Sequence, residues 1–262
     1  MGIVNVTPDS FSDGGEWFER DEAIRHGRLL AAQGAHIVDV GGESTRPGAD
    51  PVSIEEELRR VVPVIAALRD AGAQLSVDTM KLTVAQAAVD AGASYVNDVS
   101  AFRHDPELAG FVADRDIDCC LMHMLGEPRT MQRDPRYADV VDDVRAFLEE
   151  RAGFAVREGV RERRIMVDPG IGFGKTLEHN LELLARLDVI AGLGFPVVIG
   201  TSRKSFLGRL TGRADPHERV AATVATTVLA LERGASVFRV HDVAATVDAL
   251  AVATATLRAD GA

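Results

Sequence analysis

The chain has only two cysteines in 262 residues, no apolar run long enough to span a bilayer, and no excess of positive charge. Cys119 and Cys120 are neighbours inside one expected strand, so their side chains point to opposite faces. Neither a structural disulfide nor a metal cluster is expected from such a pair, which suits a reducing compartment. A membrane span needs roughly 18 consecutive apolar residues, and no segment reaches that length. The opening residues already read as a strand rather than a secretory signal, so the expected location is cytoplasmic. With 29 Lys and Arg against 40 Asp and Glu, the formal charge is −11. No basic face for nucleic acid is expected, and no membrane partner. Zinc-type Cys/His spacing is missing, and His123 has no second nearby His.

What is present is a repeat. Eight Val/Ile/Leu-rich runs, at 3–6, 36–40, 74–78, 94–98, 118–122, 164–168, 196–200 and 236–240, end in polar or glycine residues. Helix-like stretches follow at 20–33, 53–71, 81–91, 137–158, 177–191, 217–233 and 244–257, with a fainter one at 106–115. Glycine often stands just past such a stretch, as at Gly34, Gly72 and Gly92, where a left-handed residue ends a helix. Ser53 and Glu56 have capping-box spacing. The pattern predicts an α/β fold, a single (β/α)8 TIM barrel over residues 1–262, with reactive groups at the strands' carboxyl ends. Three connections are long: 7–19, 43–51 and 124–136, after strands one, two and five. All fall on the strand-end side, where they would close over a ligand; tolerated surface insertions are the alternative.

The polar residues that end strands carry the chemistry. Asp168 opens a stretch to Lys175 with three glycines in five residues, which lets backbone approach a ligand closely. The spacing is not that of a phosphate loop. The Asp168 carboxylate suits a flat N–H/NH2 edge, unless it merely caps a helix. Asp78 and Asn97 suit the edge of a heteroaromatic ring, one accepting and one doing both. Residues 200–205 meet a helix start, with Ser202 and Ser205 as cap candidates and Arg203 and Lys204 adding positive charge, a setting for an anion. Alternation puts Arg239 and His241 on one face of the eighth strand, so Lys204, Arg239 and His241 form a local cationic site. A buried Arg–Asp pair is the competing explanation for Arg239. Asn5 could give an amide oxygen to Mg2+, an ion that takes few protein ligands beside water and phosphate.

Taken together, residues 1–15, 38–48, 97–100, 123–132, 168–175, 200–206 and 239–243 resemble the dihydropteroate synthases of the pterin-binding barrel family, in family order and over essentially the whole chain. The resemblance implies condensation of (7,8-dihydropterin-6-yl)methyl diphosphate with 4-aminobenzoate, with diphosphate released, in folate biosynthesis. It matches Asn5 to the metal position, with Mg2+ as cofactor. It matches Asp78, Asn97, Asp168 and Lys204 to the pterin, and Arg239 and His241 to the diphosphate, with Thr45 and Arg46 close by. Phe11, Thr45, Arg46, Pro47, Phe173 and Ser202 fall on positions around 4-aminobenzoate, and Asp13 on one that stabilises a cationic intermediate. A homodimer and sensitivity to sulfonamide inhibitors are implied too. Phe102 departs from the glycine that many relatives have there, and would crowd the mouth. A methyltransferase acting on methyltetrahydrofolate and a non-catalytic pterin-binding paralogue are the competing readings.

Overall fold

The computed structural model describes residues 1–7, 15–44 and 48–259, with backbone alone for 15–19. Eight strands form one sheet in chain order: β1 (Gly2–Asn5), β2 (Ile37–Gly41), β3 (Gln74–Asp78), β4 (Tyr95–Asp98), β5 (Asp118–Met122), β6 (Ile165–Asp168), β7 (Val197–Ile199) and β8 (Ala235–Phe238). Every neighbouring pair is parallel. The sheet closes on itself where Gly2 bridges Val240 in parallel. The Ile3 N–H donates to the Val240 carbonyl at 3.1 Å, and the Val240 N–H to the Met1 carbonyl at 2.9 Å. Parallel strands need crossovers, and helices supply them. They are α1 (Gly15–Ala32), α2 (Ile54–Ala67), α3 (Leu82–Ala91), α4 (Glu107–Arg115), α5 (Val140–Arg157), α6 (Leu177–Ala185), α7 (Leu187–Ala191), α8 (Ser205–Thr211), α9 (Val220–Glu232) and α10 (Val243–Ala259).

The period of two along each strand divides the interior. Val38, Val40, Val77, Val96, Leu121 and Val167 pack outward with the helices in the main core. Ile37, Tyr95, Cys120 and Val198 form a separate cluster with Met166 and Val237. Two residues further along the same strands come Asp39, Asn97, Met122, Asp168 and Arg239. The alternation that fills the barrel with apolar side chains therefore also stacks above them a layer that is polar apart from Met122. Cys119 lies in the outer core and Cys120 in the inner cluster, both free thiols.

Local chemistry moves several expected boundaries. The first helix starts at Gly15 rather than residue 20. α5 begins at Val140 because Asp139 caps it, accepting from the N–H groups of Val141 and Asp142 at 2.9 and 3.0 Å. Ser53 caps α2 as expected, but Glu56 pairs with Arg59 and Arg60 instead of completing the box. The helix expected at 177–191 is broken at Arg186, whose guanidinium reaches Asp139 and Glu182, both at 2.9 Å. The stretch expected at 217–233 opens as a 3-10 turn, Pro216–Arg219, before α9. Among the described residues no helix is long and apolar enough to cross a membrane.

Candidate active site

The loop after β6 lies directly on the loop after β5. Gly170 has φ +68°, and a Cβ there would stand 1.9 Å from the His123 carbonyl oxygen, so only glycine fits. The Gly170 N–H donates to Asp168 Oδ1 at 2.7 Å, holding the carboxylate at the strand's end. Burial raises the pKa of Asp168, with the Lys204 ammonium opposing. Lys204 Nζ donates to the Ile171 carbonyl and lies 4.7 Å over the centre of the Phe173 ring. Burial lowers it to about 8, against the pull of Asp168. Carboxylate and aromatic face from the loop after β6 thus meet an ammonium from the segment after β7.

Arg239, one residue past β8, donates from Nε to Asp39 Oδ2 at 2.6 Å and from Nη2 to Asp78 Oδ2 at 2.7 Å. The buried Arg–Asp pair that competed as an explanation is therefore present. It does not remove Arg239 from the mouth, because two of five guanidinium N–H groups are used. Burial works against its charge, yet Asp39 and Asp78 more than offset that and raise its pKa. Asp78, also buried, is pushed up to about 7 with Arg239 opposing. A Cβ on Gly200 would lie 3.9 Å from Arg239 Cβ and 4.0 Å from Lys204 Nζ, so the ends of β7 and β8 bring the two cations together. His241, two residues after Arg239, contacts Ser202, two residues before Lys204: its Nδ1 is 2.9 Å from the Ser202 hydroxyl, which also accepts from the His241 N–H at 3.1 Å. Asn5, half-buried, ends β1 opposite Gly41, where a Cβ would lie 3.3 Å from Asp78 Cβ.

Three expectations need correction. Ser202 and Ser205 do not cap α8; Lys204 occupies the cap position with no side-chain cap bond, and Ser202 is engaged by His241. Arg203 adds no net charge to the anion site, since it makes a two-pronged pair with Asp242 at 2.9 and 2.5 Å. Phe102 does not crowd the mouth. It is fully buried in the main core, and its N–H donates to Asp98 at 2.7 Å. Ala101 and Phe102 both have positive φ, at 54° and 60°, a conformation that glycine adopts more easily.

Phe11, Asp13, Thr45, Arg46 and Pro47 lie outside the described residues. Two further residues, given no ligand role from the sequence, shape the site. Asp39, one of the polar residues near the strand ends, joins it through Arg239 and Asn97. Lys175, also buried, approaches His123 Nδ1 to 2.8 Å; burial and that neighbour push His123 down to about 2. Among the described residues no group of three or more His, Cys, Asp or Glu side chains is arranged to hold a metal.

A closed barrel whose mouth interleaves carboxylates and an amide with cations is a site for a flat, nitrogen-rich ring bearing an anion. Residues 1–241 match the pterin binding enzyme family, and the chain belongs to it. It is 45% identical to the dihydropteroate synthase of Synechocystis sp. over 259 residues, 98% of this chain and 90% of that protein. The Xanthomonas albilineans dihydropteroate synthase structure with 4-aminobenzoic acid superimposes with a TM-score of 0.93 at 52% identity, covering 98% of this chain and 92% of that one. The Yersinia pestis dihydropteroate synthase in a sulfonamide drug complex gives a TM-score of 0.93 at 43% identity, covering 98% and 94%. Within the pterin-binding enzymes the chain is thus a transferase of the dihydropteroate synthase kind.

Proposed function

We propose that the chain condenses (7,8-dihydropterin-6-yl)methyl diphosphate with 4-aminobenzoate, giving 7,8-dihydropteroate and diphosphate. One observation carries the reading: Asp168 at the end of β6 and Lys204 after β7 face Arg239, whose partners Asp39 and Asp78 lie across the barrel. In this reading Asp168, Asp78 and Asn97 hold the pterin's polar edge, and Lys204 covers the ring. Arg239 and His241 take the diphosphate, whose charge they offset as the methylene C–O bond breaks and the leaving group takes the electron pair. The methylene cation left behind is delocalised into the pterin. The amine lone pair of 4-aminobenzoate forms the new C–N bond, and the amine then sheds a proton. An arylamine is nucleophilic as it stands, so no strong general base is required. Phe173 and Ser202 are assigned to the 4-aminobenzoate pocket, with Phe11, Thr45, Arg46 and Pro47, and Asp13 to the cation.

The donor chemistry fits Mg2+, which keeps several waters and takes few protein ligands beside phosphate. Asn5 would hold it; when bound, the ion supplies charge neutralisation on the diphosphate. We further propose inhibition by sulfonamides through the 4-aminobenzoate pocket, by likeness to the Yersinia pestis complex. The free thiols of Cys119 and Cys120 fit a cytoplasmic setting. A homodimer formed through α9 and α10 is proposed from their outward apolar side chains, Leu229, Val252 and Leu257, at 47, 69 and 39% exposure. Light scattering should give twice the chain mass for the parent and one for Val252→Glu; a monomeric parent refutes the dimer. The catalytic reading is tested by supplying both substrates and Mg2+ and measuring diphosphate. Release should depend on 4-aminobenzoate, and release indifferent to it would contradict the transfer.

A further inference from the structure

Asp39 is fully buried in the middle of a valine-rich strand, yet it receives side-chain hydrogen bonds from three other parts of the barrel. Ser76 on β3 donates to Oδ1 at 2.5 Å, and Asn97 on β4 donates from Nδ2 to Oδ2 at 3.1 Å. Arg239 donates from Nε to the same Oδ2 at 2.6 Å. A carboxylate can only accept, so the orientation of each neighbour follows. The Asn97 amide must turn its nitrogen to Asp39, which commits its carbonyl oxygen to the opposite side as an acceptor for a ligand N–H. Arg239 commits Nε–H to Asp39 and one Nη2–H to Asp78, leaving Nη1 and the second Nη2–H for an anion. Stability alone does not account for the charge, because apolar residues replacing a buried ion pair are often no less stable.

We propose that Asp39 is a positioning residue which, through one carboxylate, sets both the acceptor that Asn97 presents to the pterin and the donors that Arg239 presents to the diphosphate. The inference rests on the ligand roles assigned above to Asn97 and Arg239. It makes the two halves of the substrate site dependent on a group that touches neither half of the substrate.

The test is calorimetry on Asp39→Asn with two separate probes, 6-hydroxymethylpterin and inorganic diphosphate, alone and in an Arg239→Lys background. Asp39→Asn should weaken both probes by about tenfold or more, as when a charged hydrogen-bond partner is lost. With Arg239→Lys already present, Asp39→Asn should cost diphosphate less than about twofold more, while the pterin loss persists. A merely structural role would not produce that selective non-additivity. Folded Asp39→Asn binding both probes like the parent overturns the proposal, as do additive diphosphate losses. If Asp39→Asn does not fold, Ser76→Ala takes its place: a smaller loss for both probes supports the proposal, and no loss overturns it. Should Arg239→Lys alone leave diphosphate binding unchanged, the catalytic reading fails instead, and this inference with it.

Discussion

The ammonium of Lys204 stands 4.7 Å above the centre of the Phe173 ring and donates to the carbonyl of Ile171, two residues before it. The contact joins the end of β7 to the loop after β6, so the group assigned to the pterin and the ring assigned to 4-aminobenzoate are placed against each other. A cation over an aromatic face contributes more when water is excluded.

That geometry gives a pH profile with a defined sign. Lys204 is charged below about 8 and neutral above it. Asp78 is an ionised acceptor only above about 7. Measured kcat/KM should therefore fall on both sides of a narrow optimum between these values. Lys204→Arg should carry the alkaline limb upward, because guanidinium keeps its proton. An alkaline limb that stays in place in that variant would exclude Lys204 as its source.

Asp168→Asn should weaken pterin binding by about 1.5–3 kcal/mol, the worth of a hydrogen bond to a charged group. That corresponds to roughly tenfold to a hundredfold in affinity. The amide can still accept from Gly170, so the loop should persist while the ligand's charged partner is lost. Calorimetry on the folded variant checks it; parental affinity would remove Asp168 from the site.

Gly170→Ala should be among the costliest small substitutions in the chain. Its Cβ would meet a backbone carbonyl, that of His123, at 1.9 Å, and φ is +68°. Left-handed strain and overpacking together should cost about 2–5 kcal/mol in denaturant unfolding. Gly194→Ala is the control: φ is +86° with nothing within 4 Å of the added atom. It should cost only about 1–2 kcal/mol. Equal losses would mean that the packing of the two loops contributes little.

Asn5→Ala should raise the Mg2+ concentration that half-saturates diphosphate release by about tenfold, a loss comparable to removing an outer-shell metal partner. Titration of the metal at fixed substrate measures it. An unchanged midpoint would take Asn5 away from the ion.

Strand order and the polar character of the mouth were legible because both rest on local periodicity. A run such as Ile37–Gly41 needs only its own alternation to declare an inner face, and Asp78 and Asp168 end their strands by position alone. Partners were not legible. Arg239 bonds Asp39 and Asp78 across 200 and 161 positions of chain, and nothing in its own neighbourhood distinguishes that from a free guanidinium. The Arg203–Asp242 pair and the Ser202–His241 contact were hidden for the same reason, each spanning 39 positions. Phe102 was misjudged because its left-handed backbone, held by the Asp98 carboxylate, turns the ring into the core rather than over the mouth.

The amino-acid order by itself determined that this chain alternates strand and helix, that its glycines punctuate the helices, and that carboxylates, amides and cations finish the strands. Those properties follow from hydrophobic periods and backbone preferences acting over a few residues. Only closure of the barrel decided which of those groups are shared between partners and which stay turned to a ligand. Pairing β1 with the end of β8 brings Asp39 and Arg239 within hydrogen-bond reach, and a buried carboxylate must then take the donors that geometry offers it.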